Sequence, residues 1–314
     1  MGDKSDKRPL IAAFVGQTAS GKSDVAMKVA EEINGAIVCL DAMQVYRGMD
    51  IGTAKPTPED QARVPHRMLD VVNPEAPYSV AAYARDAREA IGALLGEGRL
   101  PVLCGGTGLY LRALRQPLTF GRTPGDEAVR ARFQRLADSE GAQALHARLA
   151  RVDAASAARL HPNDLRRVIR ALEVFELTGR PLSAQEPPAE DDSPYRFALF
   201  GLRWEREALY ARIGCRVDRM LAAGLMEEVR RLMDAGVPPE AQSMQGLGYK
   251  ELLPVLSGLT SLEEAAETIK RRTRNYAKRQ ETWFKRESGI VWLSGGADTQ
   301  TLARQAIDII KERL

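Results

Sequence analysis

Short apolar runs alternate with segments of helical periodicity over the first third of the chain. Leu10, Ile11, Ala12, Ala13, Phe14 and Val15 form one such run, and residues 24–33 follow with the spacing of an amphipathic helix. A second run, Ala36-Ile37-Val38-Cys39-Leu40, ends at Asp41. A third, Leu100-Pro101-Val102-Leu103-Cys104, leads into Gly105-Gly106-Thr107-Gly108, and residues 109–114 start another helix. Between the second and third runs lie a stretch rich in Gly and Pro, residues 48–77, expected as loop, and a helical pattern over 80–95 with Ser79 as its N-cap. Continuous apolar runs, unlike strictly alternating ones, belong to strands buried on both faces. The pattern therefore predicts an α/β fold: a parallel sheet flanked by helices.

The middle of the chain changes period. From about residue 124 to residue 179 no strand pattern occurs. Val129, Phe133, Leu136, Leu145, Leu149, Val168, Ala171, Leu172 and Phe175 fall at helical spacing instead. Residues 185–194 are polar and proline-rich, a return linker. Residues 197–202 read as another core strand, 206–286 as helices, 289–293 as a last strand and 299–314 as a last helix. The expected division is a core of residues 1–120 and 195–314, interrupted by an all-helical insertion of residues 121–194.

The turn after the first run carries chemistry. Residues 16–23 read Gly-Gln-Thr-Ala-Ser-Gly-Lys-Ser, the G-x-x-x-x-G-K-[ST] phosphate loop, set between a strand and a helix as that motif requires. Gly16 and Gly21 let the backbone turn tightly through Thr18, Ala19 and Ser20 with N–H groups facing inward. Lys22 brings a point charge, Ser23 a hydroxyl able to ligate Mg²⁺, and the helix start adds unpaired N–H groups. Alone, this predicts a phosphate chain and suggests an ATP or GTP user. Ligands of open parallel sheets bind at the carboxyl ends of the strands. Asp41 and Thr107 follow two further strand-like runs, so they are expected beside the phosphate loop. Asp41 there serves as a Mg²⁺ ligand, a general base or a turn cap. Gln44 offers the donor and acceptor pair that reads an adenine edge, or braces its own loop.

Charge matters by its distribution. The 45 basic and 42 acidic residues leave a net charge of only +3, yet two stretches are strongly basic. In residues 159–170, Arg166 and Arg170 share a helical face opposite the Val168/Ala171/Leu172/Phe175 stripe. Residues 270–286 hold eight cations and one acid; Arg271, Arg274, Lys278 and Lys285 share one face, and Ile269, Tyr276, Gln280 and Trp283 another. Two basic helices beside a phosphate site are a footprint for a polyanion such as RNA. Cys39, Cys104 and Cys215 show no paired or metal-type spacing, nor do His66, His146 and His161. The first nine residues are polar, without a signal-peptide core, and no apolar run is long enough to span a membrane. A cytoplasmic protein without membrane attachment is expected.

Taken together, these segments resemble the tRNA dimethylallyltransferases, which place an isopentenyl group on N6 of adenosine 37 beside the anticodon. The resemblance runs from Leu10 to about Leu293. It rests on the phosphate loop, residues 41–56, 105–110 and 161–174, the Gly246-Leu247-Gly248-Tyr249-Lys250-Glu251 turn, and residues 274–283. It implies a P-loop NTPase-like core in which dimethylallyl diphosphate, not ATP, lies on Gly16, Thr18, Ala19, Ser20, Gly21, Lys22 and Ser23, with Mg²⁺ near Ser23. It implies that Asp41 takes the proton from adenine N6. By the same resemblance Thr107 stands near the bridging oxygen of the diphosphate, and Arg216 holds the diphosphate, with Arg212 and Arg219 close by. Ala42, Met43, Gln44, Gln245, Gly246, Gly248, Tyr249 and Lys250 match residues that handle the flipped-out base and its neighbours. Arg130, Arg166, Arg167 and Arg170 match insertion positions near the anticodon stem-loop, and Arg274, Lys278 and Arg279 match core contacts to the RNA. A monomer of bacterial type, without the zinc-finger extension of eukaryotic members, acting on tRNAs that read UNN codons, is the expectation.

Three positions depart from the family's pattern: Ala42 stands where Ser is usual, Gln17 where Pro is usual, and Arg166 where Gln is common. The competing readings are a nucleotide-dependent kinase of small metabolites and an RNA-stimulated NTPase. A small-molecule kinase does not need the helical insertion and the basic C-terminal helix, and against the NTPase the sequence offers no strand-terminal acidic motif of Walker-B type other than Asp41.

Overall fold

The computed structural model describes residues 6–116, 125–184 and 193–314. They fall into two compact units, Met1–Arg115 with Ser193–Leu314, and Gln116–Asp192.

The first unit is built on six parallel strands: β1 (Leu10–Val15), β2 (Gly35–Cys39), β3 (His66–Arg67), β4 (Leu100–Gly105), β5 (Arg196–Arg203) and β6 (Ile290–Ser294). Their order across the sheet is β3-β2-β4-β1-β5-β6. Central β1 is buried along its whole length, with Phe14 in register with Cys104 on one side and Phe200 on the other. Successive residues of β1 point to opposite faces. Leu10, Ala12 and Phe14 join one core with helices α1 (Lys22–Glu32) and α13, the last helix (Thr299–Arg313). Ile11, Ala13 and Val15 join a larger core on the other face. Both faces are thus covered, which is why the strands read as unbroken apolar runs.

The stretch expected as loop is more ordered than its composition suggests. It contains α2 (Pro58–Arg63) and the two-residue edge strand β3. Thr57 accepts a hydrogen bond from the Asp60 N–H, the Asp60 carboxylate accepts one from the Thr57 N–H, and Pro58 stands at N1, a complete capping box for one short helix. The larger core then receives α3 (Val80–Gly96), capped by Ser79, and α4 (Gly108–Arg115).

The second unit holds α5 (Glu127–Glu140), α6 (Ala142–Val152), α7 (Ala154–Arg159) and α8 (Leu165–Thr178), with no strand among its described residues. Phe133, Leu145, Leu149, Val168, Ile169, Ala171 and Leu172 form its core. Most of the 185–194 linker, residues 185–192, lies outside the described residues, as do residues 1–5 of the N-terminal lead-in. Back in the first unit, α9 (Arg206–Ala222), α10 (Leu225–Asp234), α11 (Tyr249–Leu256) and the long α12 (Leu262–Phe284) precede β6.

Candidate active site

The sheet order explains why three separated segments meet. β2, β4 and β1 are neighbours, so Asp41, Thr107 and the phosphate loop emerge side by side at their carboxyl ends. Pairing continues beyond the strands: Leu40 N–H donates to the Cys104 carbonyl (2.8 Å) and Thr107 N–H to the Leu40 carbonyl (3.1 Å). Such an approach excludes a side chain at position 105, where a Cβ would lie 2.1 Å from the Leu40 oxygen. It lets the Ala42 N–H donate to Thr107 Oγ1 at 3.0 Å. The next N–H, that of Met43, donates to Asp41 Oδ1 at 2.8 Å. Consecutive peptide groups therefore orient both the carboxylate and the hydroxyl.

A cleft of about 1430 Å³ opens here, lined by Thr18, Lys22, Ser23, Asp41, Arg216 and Tyr276 among others. Gly21 is the left-handed residue that starts α1 (φ +88°), with no side chain capping the helix, so the first N–H groups of α1 remain for a ligand. Lys22 Nζ donates to the Gln17 carbonyl at 3.2 Å. Burial lowers the pKa of Lys22 and nearby Arg216 lowers it further, while Cys104 and Asp41 oppose the shift. Burial also lowers the pKa of Arg216, and the Asp41 charge counters it. Two partly desolvated cations facing one carboxylate form a pocket whose positive charge calls for an anion. The same burial raises the pKa of the Tyr276 phenol, with Asp41 adding to it.

The neighbouring arginines separate by geometry. Arg212 donates from Nε to the Ala19 carbonyl at 2.8 Å and its guanidinium lies 4.4 Å from the centre of the Trp204 ring. Trp204 in turn donates to the Ser20 carbonyl. Arg219 is exposed and donates to the Cys215 carbonyl of its own helix. All three line the cleft; Arg212 braces the phosphate loop at Ala19, and the Asp41 charge acts on Arg216.

Several candidate residues do something other than their expected contact. The Thr18 N–H donates to Gln280 Oε1 at 2.8 Å, so it is spent on α12 and only the rest of that residue faces the cleft. Gln44 Nε2 donates to the carbonyls of Thr53 and Ala54, and its Oε1 lies 3.1 Å from the Cys39 thiol. Its amide braces the loop, and the free adenine-reading edge is absent. Tyr249 is 1% exposed, with its hydroxyl on buried Glu228 at 2.6 Å, so the ring is core and not surface. Gly246 and Gly248 are buried as well, whereas Gln245 and Lys250 are exposed. Met43 packs directly over Gly246, bringing the loop after Asp41 against that turn. Arg274 lies over the Tyr210 ring, while Lys278 and Arg279 on α12 are exposed, Arg279 beside the Tyr276 ring.

Within the second unit, Arg130 and Arg170 both pair with Glu173, which is fully buried; the Arg130 pair ties α5 to α8, while the Arg170 pair lies within α8. Arg167 is exposed and pairs with Asp164, and Arg166 is exposed. His146 contacts the carbonyls of Ala157 and Leu160, satisfying the end of α7.

The sequence reading missed the residues that hold the loop after Asp41. Buried Glu228 accepts from the N–H groups of Asp50, Ile51 and Gly52. Lys55 Nζ donates to the Tyr46 carbonyl and to the carboxylates of Asp50 and Asp70, all within 2.8 Å. Neither could be distinguished in the sequence from an ordinary surface charge.

Fold and site define the class: a P-loop-like α/β enzyme whose phosphate cradle faces an oriented carboxylate. An IPP transferase family model matches residues 44–287, and an isopentenyl transferase model matches residues 9–70. The chain belongs to the IPP transferase family. It is 48% identical, over 97% of both chains, to a tRNA dimethylallyltransferase of Pelotomaculum thermopropionicum. It is 50% identical to one of Geobacter metallireducens, over 92% of this chain and 94% of the other. Among solved structures it resembles the full-length tRNA isopentenylpyrophosphate transferase of Bacillus halodurans, with a TM-score of 0.73, 41% identity and coverage of 98% and 97%. A eukaryotic dimethylallyltransferase acting on tRNA matches with a TM-score of 0.81 and 27% identity, over 98% of this chain and 80% of that one.

Proposed function

We propose that this enzyme transfers a dimethylallyl group from dimethylallyl diphosphate to N6 of adenosine 37 in tRNAs reading UNN codons. The observation that carries the reading is the pairing of Asp41 and Thr107 through the consecutive N–H groups of Met43 and Ala42, beside a cationic phosphate cradle. In the reaction, N6 bonds to the allylic C1 as the C1–O bond breaks. Diphosphate leaves with the electron pair, and Asp41 accepts the N6 proton. Charge developing on the leaving group meets Lys22, Arg216, the N–H groups opening α1 and a hydrogen bond from the Thr107 hydroxyl. The adenine must leave its stack to reach this cleft, and an RNA loop makes that inexpensive.

The residues suit Mg²⁺. Ser23 Oγ has the Cys104 thiol as its neighbour at 3.8 Å, and the described residues contain no group of three or more His, Cys, Asp or Glu able to cage a metal. That donor set fits an ion held mainly by phosphate oxygens and water, with one hydroxyl from the protein. Such an ion would supply further positive charge to the leaving group.

Exposed Lys278 and Arg279 on α12, and exposed Arg166 and Arg167 on α8, support an anticodon stem-loop as the partner. The protein would act as a monomer in the cytoplasm; among the described residues no helix is long and apolar enough to cross a membrane. Incubation with Mg²⁺, labelled dimethylallyl diphosphate and a tRNA bearing adenosines 36 to 38 tests the reading. Label on N6 of adenosine 37 is expected. Hydrolysis of ATP with no label on the RNA would replace the transferase reading by an NTPase.

A further inference from the structure

Gln280 has no place in the transfer chemistry above, yet it touches both halves of the site. It sits on α12, next to exposed Lys278 and Arg279, but its own side chain turns inward and is only 5% exposed. Oε1 accepts from the Thr18 N–H of the phosphate loop at 2.8 Å, and Nε2 donates to the Gly106 carbonyl at 3.0 Å. These bonds fix which way the amide faces, because the flipped amide would set donor against donor and acceptor against acceptor. Gly106 is adjacent to Thr107, and a Cβ at position 106 would lie 2.1 Å from Nε2, so the turn leaves a slot for this amide. Gln17 adds a second tie, donating from its own Nε2 to the Ala277 carbonyl of α12 at 3.4 Å. The Gln17 carbonyl in turn accepts from Lys22 Nζ.

We propose that Gln280 is a positioning residue that clamps the phosphate loop to the turn carrying Thr107. The helix offered to RNA thereby sets the spacing between the diphosphate cradle and the hydroxyl at the leaving group. A buried amide is costly to keep unless both ends are satisfied, and these bonds satisfy one donor and one acceptor by joining the two loops just past Val15 and Gly105, the last paired residues of β1 and β4. Catalysis needs those loops in register, since a displacement near 1 Å at a reacting centre costs about 10²-fold in rate. Gln17 makes the clamp two-stranded through its own bond to the Ala277 carbonyl of α12.

The proposal rests on the transferase reading, and its test separates the two. Gln280→Met keeps the volume and removes both bonds; Gln280→Glu keeps the acceptor and loses the donor to Gly106. Each is compared with the unaltered protein for pyrophosphate affinity by titration calorimetry with Mg²⁺, for turnover and KM with dimethylallyl diphosphate, for anticodon stem-loop affinity and for thermal unfolding. For Gln280→Met, pyrophosphate affinity is expected to fall about 10-fold and turnover about 10²-fold, with RNA affinity within about 3-fold of the original. Gln280→Glu, which sets a buried carboxylate oxygen against the Gly106 carbonyl beside the anion cradle, is expected to lose at least as much as Gln280→Met. Unchanged pyrophosphate affinity and turnover in a folded Gln280→Met protein overturn the clamp. So does a loss of RNA affinity equal to the loss of turnover, which would make Gln280 a support of α12 alone. If the unaltered protein binds pyrophosphate but transfers nothing, the transferase reading fails, while the calorimetric comparison still decides whether Gln280 orders the cradle.

Discussion

Thr107 Oγ1 accepts the backbone N–H of Ala42 at 3.0 Å, one residue beyond the candidate base Asp41. That bond occupies an acceptor lone pair and leaves the hydroxyl hydrogen free to be aimed at a leaving oxygen. The group used at position 42 is the peptide N–H, so this bond requires no hydroxyl there. Thr107→Val should keep the fold and lower turnover about 10²-fold, as for loss of one donor to a developing oxyanion. Thr107→Ser should retain most activity. Single-turnover transfer rates on a labelled stem-loop check both.

Asp41→Asn removes the proton acceptor but keeps an oxygen able to accept the Met43 N–H. The loop should therefore hold its shape while turnover drops about 10²- to 10⁴-fold, the usual worth of a positioned base. RNA affinity should stay within about 3-fold, because the cations on α12 are untouched. Parallel loss of RNA affinity would make Asp41 a loop-forming residue.

The core strands were legible in the sequence because a sheet covered on both faces leaves unbroken apolar runs such as residues 10–15. The edge strand β3 was not, since His66 and Arg67 are polar and only two residues long, and α2 hid in a Gly- and Pro-rich stretch despite its Thr57 and Asp60 capping pair. The phosphate loop and Asp41 were legible because their chemistry needs those residue types at strand ends. Tyr249, Glu228 and Lys55 were not, because burial arises from tertiary contact. Gly52, for example, leaves room for the Tyr249 ring, which a Cβ there would meet at 2.5 Å. Gln280 left one trace, its place in the inward register of α12 with Ile269 and Tyr276, but a run of eight cations drew attention to the other face.

Arg216 and Arg212 should separate experimentally as they do in space. Arg216→Ala removes a charge from the cleft wall and should lower turnover and weaken pyrophosphate binding about 10-fold or more, with little change in thermal stability. Arg212→Ala removes the hydrogen bond to the Ala19 carbonyl and the stacking on Trp204, and should lower the unfolding free energy by roughly 1–2 kcal/mol. Calorimetric titration and denaturant unfolding of each variant distinguish them.

Lys278 and Arg279 are exposed neighbours on α12, and alanine at both should weaken stem-loop binding without altering pyrophosphate affinity. Loss of two phosphate contacts flattens the plot of log affinity against log salt by about 1.5. Binding measured across a salt series tests this. An unchanged slope would take that surface out of the RNA interface.

Glu173 makes the second unit sensitive to acid. Its burial pushes the carboxyl pKa up, but bonds from Arg170, the Asp126 N–H and Arg130 outweigh that and hold it below the ordinary value. A carboxyl with a lowered folded pKa contributes stability that is fully present above its unfolded value and is lost as pH falls through the folded value. Hydrogen exchange in α5 and α8 should therefore accelerate below about pH 4, ahead of the sheet core. Glu173→Gln keeps the shape and part of the hydrogen bonding but removes the charge that pairs with Arg130 and Arg170. It should lower stability at neutral pH by roughly 1–3 kcal/mol and remove most of the acid dependence of exchange in those helices. Retention of that dependence in the variant would assign it to other carboxylates of the unit, Asp153 foremost, whose pKa is also lowered by its bonds to Ser156 and Ser183 against the upward push of burial.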